Sequence, residues 1–226
     1  MLPARHNQLL SALLIFYLRR LFRRHFRGIY VAGVEGAQAF LDETEHYPLI
    51  FFSNHQTWWD GFFELPLIRQ FRLFPFLMME EKNLRRLQFF RNTGVFGVDL
   101  ESPRERARGL LYATRVLRGM PEGQRRALFL YPHGRIVSPH EDWPPFLGGL
   151  EVLLRKSPAV AAVPIYKRIL YGNTPLPEVS LYVGEPLRRD AQPGTQDFEQ
   201  ALRATGEAQA RFLGHADWNQ RSQRWL

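Results

Sequence analysis

A chain of 226 residues with 45% hydrophobic and 23% charged residues has the length of one domain, and by surface scaling it buries roughly 72% of its unfolded surface, which excludes disorder. It has no cysteine, which removes disulfides, cysteine-ligated zinc, iron–sulfur clusters and thiol catalysis together. Thirty Lys and Arg against 22 Asp and Glu give a net charge of +8, so an anionic partner is expected, nucleic acid or an acidic membrane surface, and 14% aromatic residues tilt the choice toward lipid.

The first element in chain order is a helix. The apolar run Leu9–Leu18 would be about 15 Å long, half of the ~30 Å hydrocarbon core, so it is too short to span a membrane. Arginines 19, 20, 23, 24 and 27 follow it, where a signal peptide would need a small-residue cleavage site. Leu10, Leu14, Tyr17 and Leu21 fall on one helical stripe, widened by Phe16, Phe22 and Phe26. Arg20, Arg23 and Arg27 fall on another face, with Gly28 as the stop. Residues 1–28 are therefore expected to form a basic amphipathic helix on an anionic membrane surface. The plainer alternative is a helix packed on the protein's own core. Residues 29–226 form the remaining domain.

Beyond it, short apolar runs alternate with amphipathic segments. Residues 47–53, 95–98, 127–131, 159–166 and 178–183 read as strands buried on both faces. A helix is expected from Ser102, where Pro103 and Glu105 supply a first-turn proline and a capping carboxylate. It should run through Leu110, Leu111, Thr114 and Leu117 to Gly119. Further helices are expected over 147–156 and 196–213, and residues 190–194 read as a surface linker. The fold class is α/β, a single domain with a mixed, mainly parallel sheet flanked by helices. The apolar stretch Phe62–Met79 is expected to be core, with an acyl-chain pocket or membrane contact as alternatives. No HExxH, EF-hand, P-loop or GxGxxG pattern is present, so no metal is expected.

In such a sheet, chemistry collects at the carboxyl ends of strands. Two expected strands end in polar clusters, Ser53–Asp60 and Pro132–Arg135. On a continuous helix His55 and Asp60 would point about 140° apart, so they can meet only through a turn. If they meet, Asp60 fixes the imidazole tautomer and leaves the other ring nitrogen as a base for a substrate hydroxyl, worth roughly 10²–10⁴ in rate. The alternative is a strand-end histidine capping a helix beside an unrelated aspartate.

The segment Asn54-His55-x4-Asp60 resembles the NHx4D box of the glycerolipid acyltransferases, a family that includes 1-acylglycerol-3-phosphate acyltransferases. Similar family segments follow in order. Met79–Leu84 is like the Lys-Glu-Leu stretch, Gly94–Asp99 like the Gly-x-x-x-hydrophobic-Asp box, and Tyr131-Pro132-His133-Gly134 like the Phe-Pro-Glu-Gly box. Phe146–Gly149 and Val163-Pro164 match two further segments. The resemblance implies an α/β core with membrane-dipping N-terminal helices. It also implies direct attack of a lipid hydroxyl on acyl-CoA or acyl-carrier protein, with His55 as general base and Asp60 as its orienting partner. No cofactor is implied beyond that acyl donor. Asn54, Gly94, His133, Gly134 and Arg135 are the candidate substrate-binding residues.

The sequence departs from the family where the acceptor is held. His133 replaces a glutamate, Arg135 sits one position early, Leu100 replaces an arginine and Leu147 a lysine. The expected acceptor is 1-acylglycerol-3-phosphate, with a non-phosphate hydroxyl lipid (glycolipid, carotenoid-type alcohol or aminolipid) as the alternative. The expected location is the cytoplasmic face of the cell membrane, peripheral or monotopic. From another class, a basic nucleic-acid- or lipid-binding protein without catalysis is the rival. The leucine-rich first helix argues against nucleic acid.

Overall fold

The structure, a computed structural model, describes residues 1–44, 47–118 and 124–226. An extended arm, residues 1–7, leads into helix α1 (Gln8–His25), capped by the Asn7 side chain, which accepts from Leu10 N at 3.1 Å. Strand β1 (Gly28–Ala32), helix α2 (Val34–Glu43) and strand β2 (Leu49–Ser53) follow. Two short helices, α3 (Asp60–Phe63) and α4 (Leu65–Gln70), precede β3 (Leu73–Glu80), α5 (Glu81–Arg86) and β4 (Val95–Val98). Then come α6 (Pro103–Val116), β5 (Arg125–Leu130), α7 (Gly149–Lys156) and β6 (Ala161–Leu170). The chain continues through β7 (Glu178–Val183), β8 (Leu187–Arg188), α8 (Thr195–Leu213) and β9 (Gln223–Arg224).

Among the described residues, nine strands form one sheet in the order β4-β3-β5-β2-β6-β7-β1-β9, with β8 beside β6. The run from β4 to β6 is parallel throughout. β7 pairs antiparallel with β6 and parallel with β1. This is the mixed, mainly parallel sheet that the strand–helix alternation predicts. β2 lies near the middle, and all five of its residues are buried, as a strand covered on both faces requires. Phe51 and Phe129 pack on one face with Phe22, Phe26 and Phe63. Ile50, Phe52 and Leu128 pack on the other with Leu150, Leu153 and Phe198.

Local signals explain most boundaries. Ser102 caps α6 through its hydroxyl, which accepts from Glu105 N at 3.3 Å, and Pro103 opens the helix. The expected end of that helix at Gly119 lies outside the described residues. β3 is an element that the sequence reading does not separate from the stretch Phe62–Met79, because Pro75 argues against a strand. Its proline is tolerated because β3 pairs with β4 only from Leu77 onward, so no β4 rung calls for an N–H at position 75. Arg72 turns the chain into β3 with φ 50°. Asp190 and Ala191 lie on the surface in a short 3₁₀ turn.

The first helix differs from expectation in three ways. Gly28 does not stop it: α1 ends at His25, and Gly28 is the first residue of β1, paired with Glu178. The buried residues are Leu18, Phe22 and Phe26, while Leu10 and Tyr17 of the expected apolar stripe are exposed. The rings of Trp59, Phe63 and Trp225 around Phe22 set that orientation. Finally, the exposed face carries Leu9, Leu13 and Phe16 in its first half and Arg20, Arg23 and Arg24 in its second, with Arg27 just beyond the helix end. The separation of apolar from cationic surface therefore runs along the helix rather than around it.

The arm before α1 lies antiparallel on β4. Leu2 and Gly97 exchange both backbone hydrogen bonds, at 2.9 and 2.8 Å, so the edge of the sheet is covered on that side.

Candidate active site

β2 delivers its carboxyl end into the site. Its ladder with β6 stops at Ser53 opposite Ile165, and Asn54 adds one more rung by side chain. The Asn54 amide donates to Lys167 O at 2.9 Å and accepts from Lys167 N at 2.8 Å. Both ends of that buried amide are consumed by backbone, so Asn54 fixes where the chain leaves the sheet and does not face the cavity described below.

His55 and Asp60 do meet. His55 Nδ1 lies 2.8 Å from Asp60 Oδ2, and the same oxygen accepts from Gln56 N at 2.6 Å and Thr57 N at 2.8 Å. One carboxylate therefore closes the turn and seats the imidazole. Asp60 is the first residue of α3 and is buried. Burial alone would push its carboxyl up, but the Lys167 charge and hydrogen bonds from His55 and Thr57 outweigh it and hold the group below the usual carboxylate range. Asp60 is thus an anion near neutral pH, so the neutral imidazole keeps its proton on Nδ1 and its lone pair on Nε2. Among the described residues no group bonds to Nε2.

A second layer supports this pair, and nothing in the sequence singles out its two charged members, Glu64 and Lys167. Tyr131 stacks on His55 at 4.1 Å between ring centres, and its hydroxyl donates to Glu64 Oε1 at 3.1 Å. The Lys167 ammonium, fully buried, donates to the same Glu64 oxygen at 3.2 Å and to Asp60 O at 3.4 Å, and lies 4.5 Å from the centre of the Tyr131 ring. Ser53 Oγ also donates to Glu64, at 3.4 Å. Burial raises the Glu64 carboxyl despite Lys167, and burial with the nearby carboxylates raises the Tyr131 phenol well above its ordinary range, so Tyr131 is neutral. Glu64 lies between Phe62-Phe63 and Leu65, where apolar neighbours hide its role.

The remaining sequence candidates separate. Gly94 has φ +93°, and a Cβ there would sit 2.2 Å from Pro75 O. Its conformation serves the close pass of β3 rather than a ligand. The His133 ring is buried edge-on between Trp143 and Phe146, and neither ring nitrogen has a partner. Burial lowers it to about 4, so it is a neutral ring packed away from the cavity rather than an acceptor ligand. Gly134 has φ +70° and lines the cavity. Arg135 lines it too, at the surface, paired with Glu141. The loop carrying Arg135 is tied to the His55–Asp60 turn, since Val137 N donates to His55 O at 2.7 Å.

The cavity itself is about 1460 Å³. His55, Trp58, Tyr131 and Gly134 line it at the strand ends, and most of its remaining wall is apolar. Among the described residues no cluster of three or more His, Asp or Glu could hold a metal ion. No family model and no curated protein matches the sequence. Among solved structures the chain is similar to the 1-acyl-sn-glycerophosphate (LPA) acyltransferase PlsC from Thermotoga maritima. The likeness has a TM-score of 0.57 at 18% identity, over 89% of this chain and 81% of that one. The chain has the PlsC fold. On the PlsC fold as this sequence builds it, the His55–Asp60 pair sits at the carboxyl end of β2, near the middle of the sheet. Among the described residues no helix is long and apolar enough to cross a membrane.

Proposed function

We propose that the protein is an O-acyltransferase that moves a fatty acyl group from an acyl thioester, acyl-CoA or acyl-carrier protein, to a lipid hydroxyl. The observation that carries this reading is the Asp60-oriented His55 in the wall of a large apolar cavity. The likeness to a PlsC supports it. His55 Nε2 takes the proton of the acceptor hydroxyl as its oxygen attacks the thioester carbonyl. The C–O bond forms, the C–S bond breaks, and the proton passes from His55 to the departing sulfur. Asp60 stabilises the imidazolium in between. No acyl-enzyme is needed: cysteine is absent, and the nearby Ser53 hydroxyl is turned to Glu64.

The acceptor on this reading is 1-acylglycerol-3-phosphate, with Arg135 and Gly134 beside its headgroup. One arrangement favours the second reading, a non-phosphate hydroxyl lipid: His133 is packed away from the cavity and Arg135 is already paired with Glu141. The protein works from a membrane surface, on the cytoplasmic side. Leu9, Leu13 and Phe16 project from α1 beside a run of exposed arginines, and Trp58 is exposed at the cavity mouth, which suits an anionic lipid interface.

The test is mass spectrometry of products from purified protein given acyl thioesters, 1-acylglycerol-3-phosphate and a panel of neutral hydroxyl lipids, with His55→Ala as control. Phosphatidate made only by the wild type supports the first reading, and a neutral acylated lipid the second. Transfer that His55→Ala leaves unchanged, or no transfer at all, would sink both.

A further inference from the structure

The cavity has walls on both faces of the sheet. Alternation along β3 makes the division explicit. Leu77 and Met79 pack toward Leu14, Phe62, Phe90 and Val95, on the α1 side of the sheet. Phe74 and Met78 pack toward Val98, Leu150 and Leu153, on the side covered by α6 and α7, where Leu110 also packs. All of these residues line the same cavity, and His55, Tyr131 and Gly134 line it at the strand ends. Successive side chains of a strand point to opposite faces, so the space forms two apolar limbs divided by the sheet. Its volume of about 1460 Å³ exceeds the roughly 300–1,000 Å³ of ordinary ligand pockets.

We infer that the two limbs hold two aliphatic chains at once, one from the acyl donor and one from the acceptor, with their reacting ends brought together at His55. The acceptor is then a long-chain lipid whose own chain is drawn out of the bilayer into the protein. The α1-side limb is lined by Leu14 and Ile15, on the helix that exposes Leu13 and Phe16, so apolar surface leads from the exposed helix face to the cavity. The assignment of the chains to donor and acceptor rests on the acyl-transfer reading. The existence of two chain sites does not.

Met78 and Met79 give a matched test, because they are neighbours on one strand that face different limbs. Palmitate binding is measured by native mass spectrometry and equilibrium dialysis. Two equivalents are expected for the wild type and one each for Met78→Trp and Met79→Trp. In turnover, the two variants are expected to shorten the tolerated chain of different substrates, each by a loss of at least tenfold in kcat/KM for the longest chain. A single equivalent in the wild type overturns the inference without recourse to any variant. So does a second equivalent that survives both substitutions, or chain-length effects of both variants on one substrate. Two bound palmitates in a protein that transfers no acyl group would instead overturn the proposed reaction and leave the two-chain cavity standing.

Discussion

The Lys167 ammonium lies 3.2 Å from Glu64 Oε1 and 3.4 Å from the Asp60 carbonyl oxygen, with under 5% of its side chain exposed. One buried cation therefore joins β6 to α3 and to Glu64, the residue between α3 and α4, and Glu64 in turn anchors the ring stacked on His55. Breaking a buried pair from one side leaves an uncompensated charge, which costs about 3–5 kcal/mol. Lys167→Met is expected to lose that much stability in urea unfolding, and Lys167→Met with Glu64→Leu much less than the sum of the two single changes. The single variant also raises the pH at which the Asp60 carboxyl titrates, read by carboxyl-carbon NMR, because Asp60 loses the cation that most favours its carboxylate.

Asp60→Asn keeps one oxygen for the Gln56 and Thr57 N–H groups but removes the charge that fixes Nδ1–H and steadies the imidazolium. Transfer is expected to fall by at least about 10²-fold in kcat, with KM for both substrates changed little. A fall in KM-dependent terms alone would assign Asp60 to binding instead.

His133 has its own pH signature. Its folded-state pKa of about 4 lies below the unfolded value of about 6.5. Below 6.5 the unfolded chain takes up a proton that the folded chain refuses. The contribution is thus fully present above pH 6.5 and is lost as pH falls toward 4, by up to about 3 kcal/mol. Urea unfolding at pH 7 and pH 4.5 should show this loss in the wild type and a correspondingly smaller one in His133→Leu. Equal losses in both would contradict the buried, unpartnered ring.

Leu13 and Phe16 are 56% and 74% exposed. Burying two such side chains in lipid contributes about 3 kcal/mol or more. Leu13→Ser with Phe16→Ser should weaken binding to anionic vesicles at least a hundredfold. The change in folding stability should stay within about 0.5 kcal/mol, as for other surface substitutions. Vesicle binding that is unchanged would take α1 away from the membrane.

The parts of this molecule that can be read from sequence are those written locally. Ser102-Pro103 marks a helix start, LIFF a doubly buried strand, and the polar run after it a candidate site. Even the His55–Asp60 contact is foreseeable, since only a turn can join them and the sequence offers one. The parts that cannot be read depend on distant neighbours. Pro75 argues against β3 until the gap in its pairing with β4 is known. The rotation of α1 is set by Trp59, Phe63 and Trp225, not by its own periodicity. Lys167 looks like the polar end of a strand and Glu64 like a stray charge in an apolar run, and only the sheet brings them together. His133 carries a functional-looking motif position, yet turn geometry alone decides which way its ring points.

The Asp60 carboxylate closes the turn through Gln56 and Thr57 with the same oxygen that orients His55. Two separate demands therefore fall on one atom, and they would not lapse together. A chain on this fold with no acyl transfer to perform would still need Asp60 to shape the loop, whereas nothing in the loop's shape requires the imidazole. In any lineage of such chains, survival of the aspartate reports that the turn is intact. On the proposed reaction, survival of the histidine would report that acyl transfer is still in use.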